Sequence, residues 1–203
     1  MKATAIILAG GKNRRLGRNK AVETIGGKSL VERVIERLSP LASQILIVTS
    51  ADRTDFTGTG EATILTDLYQ GQGPLGGIYT GLVAAKASYS IVVACDMPFL
   101  NTGLLGYMLE QAAGFEAVVP RLDGGMIEPL HAVYARSCLK RIKTRLDNKQ
   151  LSVESFVKTL RVRYIEQTES QWLDPKLLSF FNINYQADLD KAIAIEAENT
   201  PLA

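Results

Sequence analysis

Directly behind Gly10-Gly11, the segment Lys12-Asn13-Arg14-Arg15-Leu16-Gly17-Arg18-Asn19-Lys20 sets five cations within nine positions. Glycines let backbone N–H groups approach phosphate oxygens closely, and the cations neutralise the charge that a triphosphate brings. A solvated basic loop is the plain alternative for a charge run alone. The place of this run, at the end of an apolar strand-like segment, favours anion binding. Two named phosphate cradles do not fit. Gly27-Lys28-Ser29 matches the end of a Walker loop, but Val22 stands where its leading glycine belongs. Gly10-Gly11-Lys12 breaks the dinucleotide fingerprint.

Asp96, in Cys95-Asp96-Met97-Pro98, ends a hydrophobic run and is fixed by the proline that follows. A carboxylate so placed can hold Mg²⁺ against phosphate oxygens, while the competing reading is a cap for a helix beginning near Thr102. Asp67 closes a shorter run and is open to two readings, a hydrogen bond to a base or ribose and a simple Asx-turn. Gly73-Pro74-Leu75-Gly76-Gly77 opens a helix whose first amides can face a second anion, or else makes a tight loop with close helix packing. His131, the one histidine of the chain, has no His or Cys partner at metal spacing and reads as a strand residue in the core or lining a cleft. Asn182 and Asn184 share a side if their segment is extended, with phosphate or metal contact and turn or cap roles equally open.

These residues need a scaffold that gathers loop ends. Ala3–Leu8, Ile45–Val48, Thr63–Leu65, Ser90–Ala94 and Ala117–Val119 read as buried strands, and helical spacing marks Leu30–Leu38, Leu75–Ala87, Leu104–Ala112, Arg136–Leu146 and Val153–Leu160 between and after them. Ser29 followed by Glu32 predicts a capping box. Asp123-Gly124-Gly125 predicts a hairpin turn that returns Met126–Tyr134 antiparallel against the sheet edge. Val162–Ile165 and Phe180–Asn182 read as short edge strands, and Ala187–Ala197 as a closing helix with Leu189, Ala192 and Ile193 inward. Alternation of strand and helix predicts a three-layer, Rossmann-like α/β fold, mostly parallel with an antiparallel edge region, over one domain spanning 1–203. Such sheets bind ligands at the carboxyl ends of their strands, where these site candidates fall.

Composition narrows the class. A chain of 203 residues, 46% hydrophobic and 22% charged, is ordinary for a globular protein. A net charge of +2, from 23 basic and 21 acidic residues, calls for neither nucleic acid nor an anionic membrane. No apolar stretch approaches the roughly 20 residues of a membrane helix. Two distant cysteines, Cys95 and Cys138, suggest neither a zinc site nor a disulfide framework, and a cytoplasmic setting is expected.

Leu8-Ala9-Gly10-Gly11 with Arg15-Leu16-Gly17 and Asn19-Lys20, then Gly73-Pro74-Leu75-Gly76-Gly77, Cys95-Asp96-Met97-Pro98 and Asn182-Ile183-Asn184 together resemble the molybdenum cofactor guanylyltransferase family. The fragments follow in order over nearly the whole chain. The resemblance implies GTP and molybdopterin-type molybdenum cofactor as substrates, Mg²⁺ as cofactor, pyrophosphate as leaving group, and delivery or recipient molybdoenzymes as protein partners. It implies that Leu8, Ala9 and Gly10 contact guanine or ribose, Lys20 and Arg15 the phosphates, Gly11 and Asp67 the nucleotide and Asp96 the metal. Gly73, Gly77, Asn182 and Asn184 would line the acceptor region. Two departures stand out: the family's S-x-R-M-G reads Asn13-Arg14-Arg15-Leu16-Gly17, and its Asp-Lys pair reads Asn19-Lys20. A transferase using CTP or another phosphorylated acceptor, and a nucleotide-binding regulator without turnover, are the rival readings.

Overall fold

Six consecutive buried residues, Ala3–Leu8, can belong only to a strand covered on both faces, and the computed structural model puts them at the centre of the sheet. The structure describes residues 2–10, 23–50 and 59–199. In chain order these form β1 (Ala3–Leu8), β2 (Thr24–Ile25), β3 (Lys28–Ser29), α1 (Leu30–Leu38), β4 (Ala42–Thr49), β5 (Thr63–Thr66), α2 (Gly73–Ala84), β6 (Tyr89–Ala94) and α3 (Thr102–Glu110). The second half gives β7 (Ala117–Arg121), β8 (His131–Ala135), α4 (Leu139–Asp147), α5 (Val153–Val157), β9 (Val162–Glu166), α6 (Gln167–Leu173) and α7 (Gln186–Asn199).

Among the described residues, seven strands build the main sheet in the order β5-β4-β1-β6-β8-β7-β9. The first four are parallel, β8 runs antiparallel to both β6 and β7, and β9 returns parallel to β7. Alternate residues of β1 serve opposite layers. Ala5 and Ile7 pack with Val31, Val34 and Leu38 of α1 and Leu104 and Met108 of α3. Ile6 and Leu8 pack with Leu75, Ile78 and Leu82 of α2, in the layer that also holds Ile142 and Phe156. The expected three-layer, mostly parallel α/β architecture is therefore the observed one.

The order in which strands are added reverses at β1, with β4 laid on one side and β6 on the other, so the crevice above β1 and β6 is the topological switch where such folds take ligands. Close approach of α2 defines one wall of it. A Cβ built on Gly81 would lie 2.5 Å from Ile6 Cγ2, and one on Gly77 would lie 3.0 Å from Leu8 Cδ2. Gly81→Ala should therefore overpack this seam and cost about 1–3 kcal/mol of unfolding free energy. Chemical denaturation measures it, and an unchanged midpoint would show that α2 has room to move.

Ser29 and Glu32 form the expected reciprocal capping box at the start of α1. Three local expectations are corrected. The returning strand β8 lies between β6 and β7 rather than at an edge, because all five residues His131–Ala135 are buried and an edge would expose them. Phe180–Asn182 adds no strand: Leu177 turns left-handed at φ 52° and opens a 3₁₀ turn over Leu178–Phe180. On α7, Leu189 and Ala192 are buried as expected, but Ile193 is 47% exposed. The buried stripe continues instead to Glu196, which binds Arg33 of α1 through two parallel hydrogen bonds of 2.9 and 2.5 Å.

Candidate active site

Backbone hydrogen bonds tie the strand ends of the crevice to one another. Ala9 N donates to Val48 O (2.9 Å), Asp67 N to Thr49 O (2.8 Å), Cys95 N to Leu8 O (3.1 Å) and Ile183 N to Asp96 O (3.0 Å). The first three bonds extend the sheet pairing past the last ladder residue, and the fourth brings the segment before α7 against the end of β6. The expected residues Leu8, Ala9, Gly10, Asp67, Asp96, Asn182 and Asn184 are thereby brought to one rim, at the carboxyl ends of β1, β4, β5 and β6. Gly11, Arg15 and Lys20 lie outside the described residues.

Asp67 has a demonstrable structural task. Its Oδ1 accepts from Tyr69 N (2.9 Å) and from Thr80 Oγ1 (2.8 Å), the first bond being the Asx-turn anticipated for it. Thr80 also accepts from Leu68 N, so the carboxylate clamps the end of β5 onto α2. The remaining oxygen, Oδ2, faces Gly76, where an added Cβ would come within 3.2 Å. Close packing is also what Gly77 serves, in line with the plain reading of that loop. Gly73 takes φ +69° at the entry to α2, a conformation costly for any residue with a Cβ, and no side chain caps this helix.

On the opposite wall, Ile183 is fully buried with Ile25, Leu30 and Leu189, and half-buried Asn182 and Asn184 flank it. Asn182 Nδ2 donates to Phe180 O (3.0 Å). Asp188 Oδ2 accepts from both Asn184 N and Tyr185 N at 2.9 Å, anchoring the segment to α7. The Arg33–Glu196 pair fastens α7 in turn, and Arg33 Nη1 donates to Ile25 O (3.1 Å). Hydrogen bonding to Arg33 holds the Glu196 carboxyl below its usual range. A partner 163 residues away leaves no signal in local periodicity, so this lock is found only in the fold.

Asp96 does not cap the next helix. Asn101 does, accepting from Leu104 N at 2.9 Å. His131 sits in the core rather than the cleft: Nε2 meets Ser179 Oγ at 2.6 Å, and the ring packs on Phe180 at 4.8 Å between centroids. Burial pushes its imidazole down to about 4. A base depressed in the folded state stays neutral there while the unfolded chain takes up a proton, so stability falls as pH drops from the ordinary histidine range of about 6.5 towards 4. That shift is worth on the order of 3 kcal/mol. Urea unfolding of His131→Gln should show a correspondingly shallower loss over this window, and equal slopes would contradict the assignment.

Whether the rim suits a metal depends on the donors it offers. Among the described residues, no three His, Cys, Asp or Glu gather into a cage. One half-buried carboxylate with the Asn182–Asn184 segment bonded beside it suits an ion that takes a single carboxylate, keeps its waters and shares substrate phosphate oxygens, the habit of Mg²⁺.

A three-layer, mostly parallel sheet with its loops gathered at the β1/β6 switch is a frame on which α/β proteins bind ligands, nucleotides among them. The MobA-like NTP transferase domain matches residues 5–164, and the chain belongs to that family and is a nucleotidyltransferase. It is 37% identical to the molybdenum cofactor guanylyltransferase of Desulfosudis oleivorans, over 94% of each chain. Molybdopterin-guanine dinucleotide biosynthesis protein A from Archaeoglobus fulgidus superposes with a TM-score of 0.83 at 30% identity, covering 96% of this chain and 99% of that one. No described helix is long and apolar enough to cross a membrane.

Proposed function

We propose that the protein transfers GMP from GTP to molybdopterin-type molybdenum cofactor, releasing pyrophosphate and forming the guanine dinucleotide cofactor. The observation that carries this is the bond from Cys95 N to Leu8 O, which sets Asp96 beside the end of β1, where the glycine-and-cation segment begins in sequence. The two relatives named for guanylyl transfer and guanine dinucleotide synthesis, alike over nearly their full lengths, supply the choice of nucleotide and acceptor.

In this reaction a terminal phosphate oxygen of the acceptor attacks the α-phosphorus of GTP, that phosphorus bonds to it, and the bond to the β-phosphate bridging oxygen breaks. No protein nucleophile is required, since the attacking phosphate is already ionised near neutral pH. The burden on the protein is alignment and charge stabilisation. Leu8, Ala9 and Gly10 contact guanine or ribose, Gly11 and Asp67 the nucleotide, and Arg15 and Lys20 the phosphates. Gly73, Gly77, Asn182 and Asn184 border the acceptor. Asp96 would hold Mg²⁺, which supplies neutralisation of triphosphate charge. The unit is one domain acting in the cytoplasm, with molybdoenzymes or their delivery proteins as recipients.

The test supplies each of the four nucleoside triphosphates, labelled at the α-phosphate, with Mg²⁺ and molybdenum cofactor. Label should pass to the cofactor from GTP with one pyrophosphate per transfer. Exclusive use of CTP would reject the guanylyl assignment, and GTP binding without pyrophosphate release would make the protein a binder.

A further inference from the structure

The turn Glu128-Pro129-Leu130-His131 leads into β8, and its backbone is fixed at every step. Glu128 N donates to Pro120 O (3.0 Å), and His131 N closes the turn on Glu128 O (3.1 Å). The buried Tyr134 hydroxyl donates to Pro129 O (2.8 Å), and Ala94 N donates to Leu130 O (3.2 Å). Three successive carbonyls thus each accept a bond, and proline fixes φ in the middle. No described residue engages the side chain so presented. Among the described residues, the half-buried Glu128 carboxylate accepts no hydrogen bond and meets no cation, and burial alone holds it above its usual range. Other half-buried acids are paired: Glu116 with Arg141, Glu169 with Arg163, Glu196 with Arg33.

Its position narrows its partner. Ala94 immediately precedes Cys95-Asp96, and Pro120 lies near the carboxyl end of β7, so the Glu128 turn stands on the same rim as Asp96. It stands on the β7 side of β6, away from Leu8, Gly10 and Asp67 on β1 and β5. With guanine and ribose on the latter side, and Gly73 and Gly77 there bordering the phosphate end of the acceptor, the β7 side is left for the end of the acceptor remote from that phosphate. A carboxylate offers two acceptor oxygens and no donor, and pairs best with two parallel N–H groups. The 2-amino-4-oxopyrimidine edge of a pterin presents that pair, as ring N3–H and the 2-amino group. We propose that Glu128 reads this edge of the acceptor and is the residue that selects a pterin there, an inference that rests on the guanylyl-transfer reading.

The test compares wild type, Glu128→Gln and Glu128→Ala for turnover with GTP and molybdenum cofactor, direct binding of molybdopterin by fluorescence, GTP affinity by calorimetry, and thermal unfolding. Loss of a hydrogen-bonded charge should raise the acceptor KM and weaken molybdopterin binding about 10- to 100-fold. GTP affinity should not change. Thermal stability should hold or rise, since the folded state disfavours ionised Glu128 at neutral pH and the variants remove that penalty. An unchanged acceptor KM alongside normal wild-type turnover would overturn the role of Glu128 and leave the transfer reading intact. A fall in GTP affinity, or in stability without a KM change, would overturn it equally. Weakened molybdopterin binding in a protein that never turns over would sink the transfer reading and keep Glu128. Wild type that neither binds molybdopterin nor turns over would sink both.

Discussion

Asp96→Ala is expected to lower the rate of nucleotidyl transfer by about 10²- to 10³-fold, the usual consequence of removing one group that stabilises transition-state charge. The fold should survive it. The backbone carbonyl of Asp96 accepts from Ile183 N whatever side chain the position carries, so that tie to the opposite wall is kept. Thermal unfolding should therefore move little while activity collapses. If Asp96 holds the metal, chelation of divalent ions should bring wild type down to the level of the variant and change the variant little. A variant with full activity would remove Asp96 from the chemistry.

Lys20→Ala carries the second large effect, again about 10²- to 10³-fold on transfer, because a mobile proton is not involved and charge on the triphosphate must be met directly. Lys20→Arg should recover part of it, since the charge returns in a different shape. Equal losses in both variants would mean that geometry, not charge, is what Lys20 supplies. Asn19 stands where the family has a carboxylate, so no acidic neighbour in sequence competes for Lys20 here.

Much of the scaffold is legible in the sequence because it is built from buried parallel strands. In β1, β4 and β6 both faces are covered, which writes short apolar runs into the sequence that period-two patterns cannot imitate. Ser29 and Glu32 are legible for a local reason, since a capping box depends on two residues three apart. Register of the second half is not. His131–Ala135 is as apolar as an edge strand's inner face, and only the long-range pairing with both β6 and β7 places it inside. The small hairpin of β2 and β3 escapes a search for apolar runs, although Gly26 and Gly27, at φ 58° and 79°, are a two-residue turn in plain view. Helix α6 escapes because its box is made by Glu166 and Glu169, an acid in the cap position that serine or threonine usually holds.

The site divides in the same way. Residues that end strands, Leu8 to Gly10 and Asp96, can be picked out because strand ends converge in any parallel sheet. That Asn182–Asn184 meets Asp96 cannot follow from spacing, since 86 residues separate Ile183 from its partner 96. Resemblance suggests it, and the hydrogen bond to Asp96 O gives it a physical cause. Glu128 carries no motif at all. Its interest comes from a negative fact of the fold, a carboxylate on a firmly bonded backbone turn and left without a partner among the described residues.

Convergence of the Gly10–Lys20 segment and Asp96 on one bound triphosphate is best measured by a double-mutant cycle on pyrophosphate release, using Lys20→Ala, Asp96→Ala and the pair. Groups that act on the same triphosphate should be coupled, with the double variant losing far less than the product of the single losses. Losses that multiply cleanly would mean that the two act at separate places, which contradicts a shared triphosphate site.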